Sequence, residues 1–210
     1  MLDLTVMRTA NAGVLIEMDG RSILLDGVCQ PLFPYLGTPS SIRDRLERDM
    51  PDVLAFTHRH PDHYDPSYEK LYKDKTLRSA FGPESLPFYE LGNGIGMHLS
   101  ATRHIGKNDV PHVSYVIEGK RTVWFMGDAT PISLRKLAEF KAPDLLIVPF
   151  AYLITPSSWR MTKETGAKKI LLLHMPNEED DREGLWDAVR RTVGDEDRLF
   201  IPKMGEKLSL

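Results

Sequence analysis

The chain has 210 residues, a formal charge of −3 and a sequence pI near 6.2, with 41% apolar and 27% charged residues. That length suits a single domain over residues 1–210, or two tightly fused halves, with a sizeable buried core. A nearly neutral, slightly acidic chain lacks the basic footprint that phosphate backbones require, so nucleic acid is not an expected partner. No apolar run approaches the roughly 20 residues that span a bilayer, which leaves no membrane partner to expect. The opening MLDLTVMRTA also lacks the charged-then-apolar order of a signal peptide. The one cysteine, Cys29, excludes an internal disulfide and a thiolate metal cluster, and the expected compartment is the cytoplasm.

Up to Asp26 the pattern predicts antiparallel strands: Leu4-Thr5-Val6-Met7, then Val14-Leu15-Ile16 after Gly13, then Ile23-Leu24-Leu25. Asp19-Gly20 suits a tight two-residue turn with positive φ between the last two. Gln30 to Ser41, rich in proline, reads as a loop, and Ser41 as the cap of a helix reaching Met50. Val53-Leu54-Ala55-Phe56 is a short buried strand. Ser67 to Lys73 reads as a helix, Leu77 to Phe81 as a strand, and 82–96 mostly as loop. His98 to Thr102 and His112 to Glu118 read as strands, and Gly119-Lys120 turns the second into Thr122 to Met126. A helix over Ser133 to Phe140, a strand over Leu145 to Phe150, a helix over Ser157 to Thr165 and a strand over Ile170 to Leu173 follow. Glu183 to Val193 is the last helix, and Leu199 to Ile201 a closing strand. The fold class is therefore α/β, with mixed sheets and helices outside.

The seven histidines carry the chemistry. Thr57-His58-Arg59-His60-Pro61-Asp62-His63 follows directly on a buried strand. In extended backbone, side chains at i and i+2 share a face, so His58 and His60 can grip one ion together. The turn forced by Pro61 redirects Asp62 and His63 towards a second position. Chance would produce HxHxDH in roughly 6 of 10,000 chains of this composition. His98, in a mixed strand, reads as structural, as do Cys29 and the tryptophans Trp124, Trp159 and Trp186. Asp65 either bonds a ligand imidazole or starts the next helix with Pro66; Asp26 either braces the site or ends its strand.

The His58-x-His60-x-Asp62-His63 segment resembles the signature of the metallo-β-lactamase fold superfamily. The resemblance runs along the chain: Arg103-His104 after an apolar strand, Met126-Gly127-Asp128 after the Thr122 strand, and Leu173-His174 after Ile170-Leu-Leu-Leu. Gly13-Val-Leu-Ile-Glu, Asp19-Gly20 and Leu25-Asp26 are similar to the family's N-terminal hairpin. It implies a four-layer αβ/βα sandwich with two divalent metals in the cleft between its halves. It also implies His58, His60 and His104 on one metal, Asp62, His63 and His174 on the other, and Asp128 bridging both. His112, eight residues beyond His104, is the competing third ligand; otherwise it lines the pocket or merely starts its strand. An all-nitrogen-and-oxygen set suits Zn²⁺, and equally Mn²⁺ or Fe. Two such ions present a bridging hydroxide as nucleophile, with Asp62 as a catalytic residue that holds or orients its proton.

The Gly-His-Thr-Pro-Gly-like segment of the glyoxalase II and true lactamase branches is absent around His104. The following Ser114-Tyr115-Val116-Ile117-Glu118 resembles the L-ascorbate-6-phosphate lactonase-like branch of Zn-dependent hydrolases, and also a broader group with tRNA 3′-processing and phosphodiesterase members. The acidic chain argues against tRNA. The expected activity is hydrolysis of an ester, lactone or phosphodiester in a small anionic substrate, with Arg59, Arg103 and Lys107 as its contacts or as exposed charges. The rival readings are an iron-dependent redox enzyme of thiol oxygenase type and a non-catalytic metal-binding domain.

Overall fold

A computed structural model describes residues 4–106 and 110–210. The first hairpins form as the pattern predicts. β1 (Leu4–Arg8), β2 (Val14–Met18) and β3 (Arg21–Leu25) pair antiparallel in sequence, and β4 (Val53–Ala55) lies parallel to β3. Asp19 and Gly20 both take positive φ, 49° and 77°, which matches a two-residue turn to the twist of β2 and β3. β12 (Lys207–Ser209) adds to the free edge of β1 and completes a five-stranded sheet in the order β12-β1-β2-β3-β4.

A second sheet has seven strands in the order β11-β10-β9-β8-β7-β6-β5. It comprises β5 (Phe88–Gly92), β6 (Ile95–Ala101), β7 (Val113–Glu118), β8 (Thr122–Phe125), β9 (Leu145–Pro149), β10 (Lys169–Leu173) and β11 (Leu199–Phe200). β5 to β8 are antiparallel, whereas β8 to β11 run parallel. Parallel central strands are buried on both faces, which is why β9 and β10 read as unbroken apolar runs.

Alternate side chains supply the layers. Val14, Ile16, Ile23 and Leu25 meet Tyr115, Ile117, Phe125, Ile147 and Leu171 in a core between the sheets. Leu15, Leu24 and Leu54 point the other way, onto Leu46 of α1 (Ser40–Arg48) and Tyr68 and Tyr72 of α2 (Pro66–Thr76). On the far face Trp124, Leu146 and Leu172 pack under α3 (Leu134–Leu137), α4 (Pro156–Glu164) and α5 (Leu185–Val193). Helix, sheet, sheet, helix is the metallo-β-lactamase sandwich. Trp124 and Trp159 are core residues, and Trp186 is half-buried against them. Cys29 is buried, its N–H donating to Thr38 Oγ1 at 2.9 Å, which is a packing role.

Several elements differ from the sequence expectation. Leu77 to Phe81 is not a strand: Leu77 ends α2 in the left-handed region with its side chain exposed, and only Phe81 bridges to Ala55. Conversely, 82–96 is not mostly loop, since β5 and the start of β6 form there around a turn with Asn93 and Gly94 at positive φ. β5 is an edge strand with little burial, so no apolar run announces it. Ser41 does not cap α1; Pro39 precedes the helix and no side-chain cap bond forms. The helix over Ser133 to Phe140 shrinks to a 3₁₀ turn, Pro131–Ser133, and the four residues of α3. None of the described helices is long and apolar enough to cross a membrane.

Candidate metal centre

The loops at one end of the two sheets carry Asp26 and the seven residues that the family resemblance assigns to the metals. β3 ends at Asp26, β4 at the Thr57–His63 segment, β6 at His104, β8 at Asp128 and β10 at His174. The hydrogen bond from Asp26 N to Ala55 O at 3.0 Å holds the first two loops together.

The side chains meet in overlapping groups. Single ligand atoms of His58, His60 and His104 lie within 4.8 Å of one another, and the same holds for His58, His63 and Asp128 and for Asp62, His63 and His174. His58 Nε2 is 3.0 Å from His60 Nδ1 and 3.2 Å from His104 Nε2. Asp128 Oδ2 reaches both clusters, at 3.7 Å from His104 Nε2, 3.4 Å from His63 Nε2 and 3.3 Å from His174 Nε2. Asp62 Oδ2 lies 3.0 Å from His174 Nε2 and 3.7 Å from His63 Nε2.

Hydrogen bonds on the outer side decide which atoms face inward. Asp26, fully buried, receives Thr57 N–H on Oδ1 at 2.7 Å and Thr57 Oγ1–H on Oδ2 at 2.7 Å. The same Oδ2 accepts from His63 Nδ1 at 2.8 Å. With its proton committed to Asp26, the Thr57 hydroxyl is an acceptor for His58 Nδ1–H at 3.0 Å. Both imidazoles are thereby fixed with a bare Nε2 turned to the centre. His104 likewise directs Nδ1 outward, to the carbonyl of Ile105. Asp26 thus braces the site rather than merely ending β3.

These residues fit divalent ions. His63 Nε2, His174 Nε2 and Asp128 Oδ1 are buried and, among the described residues, make no aligned hydrogen bond. Buried polar atoms are otherwise almost always satisfied, so this convergence of nitrogen and oxygen atoms without aligned partners marks a place for a cation. The spacings fit as well: ligands about 2.0–2.1 Å from a tetrahedral ion stand roughly 3.3–3.4 Å apart. Burial pushes the His58 pKa down, towards the neutral imidazole that coordinates. Burial acts on His174 in the same sense, but Asp128 and Asp62 overcome it and raise its pKa to about 9. Burial would raise Asp128, yet His174 and His63 hold it well below the usual carboxylate range.

Two backbone positions are strained. His174 sits at φ 57° and Asp26 at φ 46°, a region non-glycine residues rarely occupy. The His174 N–H is tied to Asn11 O at 3.2 Å, which anchors the first of these. Gly127 at φ 52° needs its missing Cβ, because one would stand 2.5 Å from Thr57 Cγ2.

The other candidates take different places. His112 is not in the inner group: its Nε2 accepts the Asp128 backbone N–H at 3.0 Å, and its Nδ1 bonds Thr102 Oγ1 at 2.8 Å. Asp65 caps α2, accepting Ser67 N–H at 2.8 Å and pairing with Arg43 at 2.6 Å, and touches no imidazole. His98 packs against Phe88 and Phe140 beside Glu118, in the structural role expected. Arg59 is paired with Glu84 and stacked over Phe56 and Tyr64, so its charge is already engaged. Arg103 is exposed, and Lys107 lies outside the described residues. Tyr35 was hidden in the proline-rich loop: its ring stands edge-on to His174, with centroids 4.4 Å apart. Nothing local in the sequence signals it, because the loop's path sets the contact.

The fold recurs in solved structures. An isothiocyanate hydrolase from Delia radicum gut bacteria matches with TM-score 0.69 and 16% identity over 98% of each chain. A possible metal-dependent hydrolase from Veillonella parvula matches with TM-score 0.72 and 17% identity over 100% of each chain. CmlA, a diiron β-hydroxylase from Streptomyces venezuelae, matches with TM-score 0.65 and 15% identity, over all of this chain and 54% of its own. No curated protein matches in sequence. The family model described as the beta-lactamase superfamily domain does match, over residues 7–171, and to that superfamily this chain belongs.

Proposed function

We propose that the protein is a metal-dependent hydrolase, built as one domain, that cleaves an ester, lactone or phosphodiester bond in a small anionic molecule. The observation that carries this reading is the convergence of buried His63 Nε2, His174 Nε2 and Asp128 Oδ1, none of which makes an aligned hydrogen bond among the described residues. His58, His60 and His104 would hold one divalent ion, Asp62, His63 and His174 a second, and Asp128 would bridge them. Zn²⁺ is the ion proposed, and Mn²⁺ or Fe would suit the same donors. When bound, such a pair supplies Lewis acidity and a water of lowered pKa.

The chain's own groups do the rest. Asp62, buried and within 3.0 Å of His174, would hold or hand on the attacking water's proton at its carboxylate. Asp26 and Thr57 keep two imidazoles in the tautomer that leaves Nε2 free. His112 fixes the Asp128 backbone, and with it the angle at which that carboxylate enters. Within the superfamily, an L-ascorbate-6-phosphate lactonase-like branch and a cytoplasmic location are the finer assignments we propose.

Elemental analysis of protein purified without chelators or an affinity metal tests the reading. About two Zn or Mn per chain, with one or both lost in Asp128→Asn, is the expected result. Two ions and full turnover retained in that variant would overturn the mechanism. Iron alone, near one per chain, would favour the redox alternative, and failure to take up any metal would remove the enzyme reading.

A further inference from the structure

A cavity of about 640 Å³ has Met175 and Pro176, the two residues that follow His174 in the chain, in its wall. Leu36, Trp186 and Ile201 add apolar surface, and Arg8 and Lys203 add positive charge. Two acidic residues, Glu178 and Glu179, also border it, and Glu178 is already paired with Arg190.

Arg8 is the unusual member. Its half-buried guanidinium donates to the carbonyls of Ala10, Pro202 and Asn11, at 3.2, 3.0 and 3.4 Å. Among the described residues no carboxylate pairs with it. Three carbonyls satisfy only part of the five N–H groups a guanidinium carries, and none of them neutralises its charge. A half-buried, fork-shaped cation left without a counter-ion is suited to bidentate capture of a carboxylate or phosphate. Its position relative to the metal centre is fixed by one atom: the Asn11 carbonyl accepts both from Arg8 and from the His174 backbone N–H. Leu32 and Phe33, beyond the cavity, and Leu36, at its mouth, are exposed on the same loop that presses Tyr35 onto His174. Exposed apolar clusters of this kind mark contact surfaces.

We propose that this cavity seats the substrate: Arg8 binds a carboxylate or phosphate head, while Leu36, Met175 and Trp186 hold an apolar body. The ligand's being a substrate rests on the hydrolase reading above; the cavity's preference for an anion does not.

The test is binding to the metal-loaded protein, followed by calorimetry and tryptophan fluorescence. The probes are 4-phenylbutyrate, its uncharged amide and 3-phenylpropylphosphonate. The acid or the phosphonate should bind at least about tenfold tighter than the amide, and whichever binds more tightly identifies the head group. Arg8→Gln should erase that preference, and Trp186→Phe should remove the fluorescence change. Because Arg8 also braces backbone carbonyls, Leu36→Trp serves as a second variant: it sits at the exposed mouth, leaves those bonds intact and should weaken the anion by a similar factor. Equal affinity for acid and amide, or anion binding unaltered by both Arg8→Gln and Leu36→Trp, would overturn the proposal. Selective binding without turnover of the corresponding esters would support the cavity and count against the hydrolase reading alone.

Discussion

Asp26 and His63 form a fully buried pair, Oδ2 to Nδ1 at 2.8 Å, and through Thr57 the same carboxylate also governs His58. One residue directly after β3 thus orients an imidazole in each of the two proposed metal positions. Partners of this kind are typically worth 10–100-fold in metal affinity. Asp26→Asn should therefore weaken both ions by about that factor, in competition against a chromogenic chelator. Thr57→Val should produce a smaller loss confined to the ion held by His58. Unchanged affinity in both variants would show that the pair only fills space.

His112 and His104 are near in sequence and different in role, and substitution should separate them. His104→Ala removes an inner nitrogen, so metal content should fall. In His112→Phe all the inner donors stay, but the buried Asp128 N–H loses its acceptor, at a cost of about 1–3 kcal/mol. Burial drives the His112 pKa down to about 3, so the ring is neutral and able to accept throughout the useful pH range. The expected outcome is unchanged stoichiometry with weaker binding and a lower denaturation midpoint. Loss of a whole ion in His112→Phe would make it a ligand after all.

What the sequence discloses here follows from where the physics is local. The i, i+2 pair His58 and His60, the Asp19-Gly20 turn and the apolar runs of β9 and β10 are each set within a few residues. Their positions were legible. The edge strand β5 was not, because a run that mixes half-buried Tyr89 with exposed Phe88 and Glu90 announces no buried face. Nor was the choice for Asp65, which turns on Arg43 reaching it from another helix. The Asp26–Thr57–His58 relay is long-range in the same way, since it requires β3 and β4 to lie side by side. Arg8 and Tyr35 gain their significance only from the company of His174, more than a hundred residues away in the chain.

Gly127 tests how tightly the two halves approach at the site. Its φ of 52° and the 2.5 Å that would separate a Cβ from Thr57 Cγ2 act together against any side chain. Strain at positive φ and overpacking each cost about 1–3 kcal/mol, so Gly127→Ala should destabilise by roughly 2–6 kcal/mol. It should also displace Asp128 and Thr57, lowering metal affinity in the residual folded protein. Urea titration measures the first effect and chelator competition the second. A midpoint equal to wild type would mean that the loop opens at no cost.

Away from the metal centre, Asp144 ties β8, β9 and β10 together. It accepts the Thr122 N–H at 2.9 Å and Lys168 Nζ at 2.7 Å, with Arg121 at 3.4 Å. Burial pushes its carboxyl upward, but the Lys168 and Thr122 bonds and the two cations outweigh that and hold the pKa below the usual range. A carboxyl with a depressed folded pKa contributes stability above its unfolded value of about 3.9 and loses it as pH falls through the folded value. Lys168 is largely solvent-exposed, so screening limits the contribution to about 1 kcal/mol. Asp144→Asn should therefore lower the denaturation midpoint at neutral pH. The two proteins should converge as the solution is acidified below about pH 4, where the wild-type carboxyl begins to protonate. A gap that stays constant with pH would assign the effect to altered hydrogen bonding around the new amide rather than to charge.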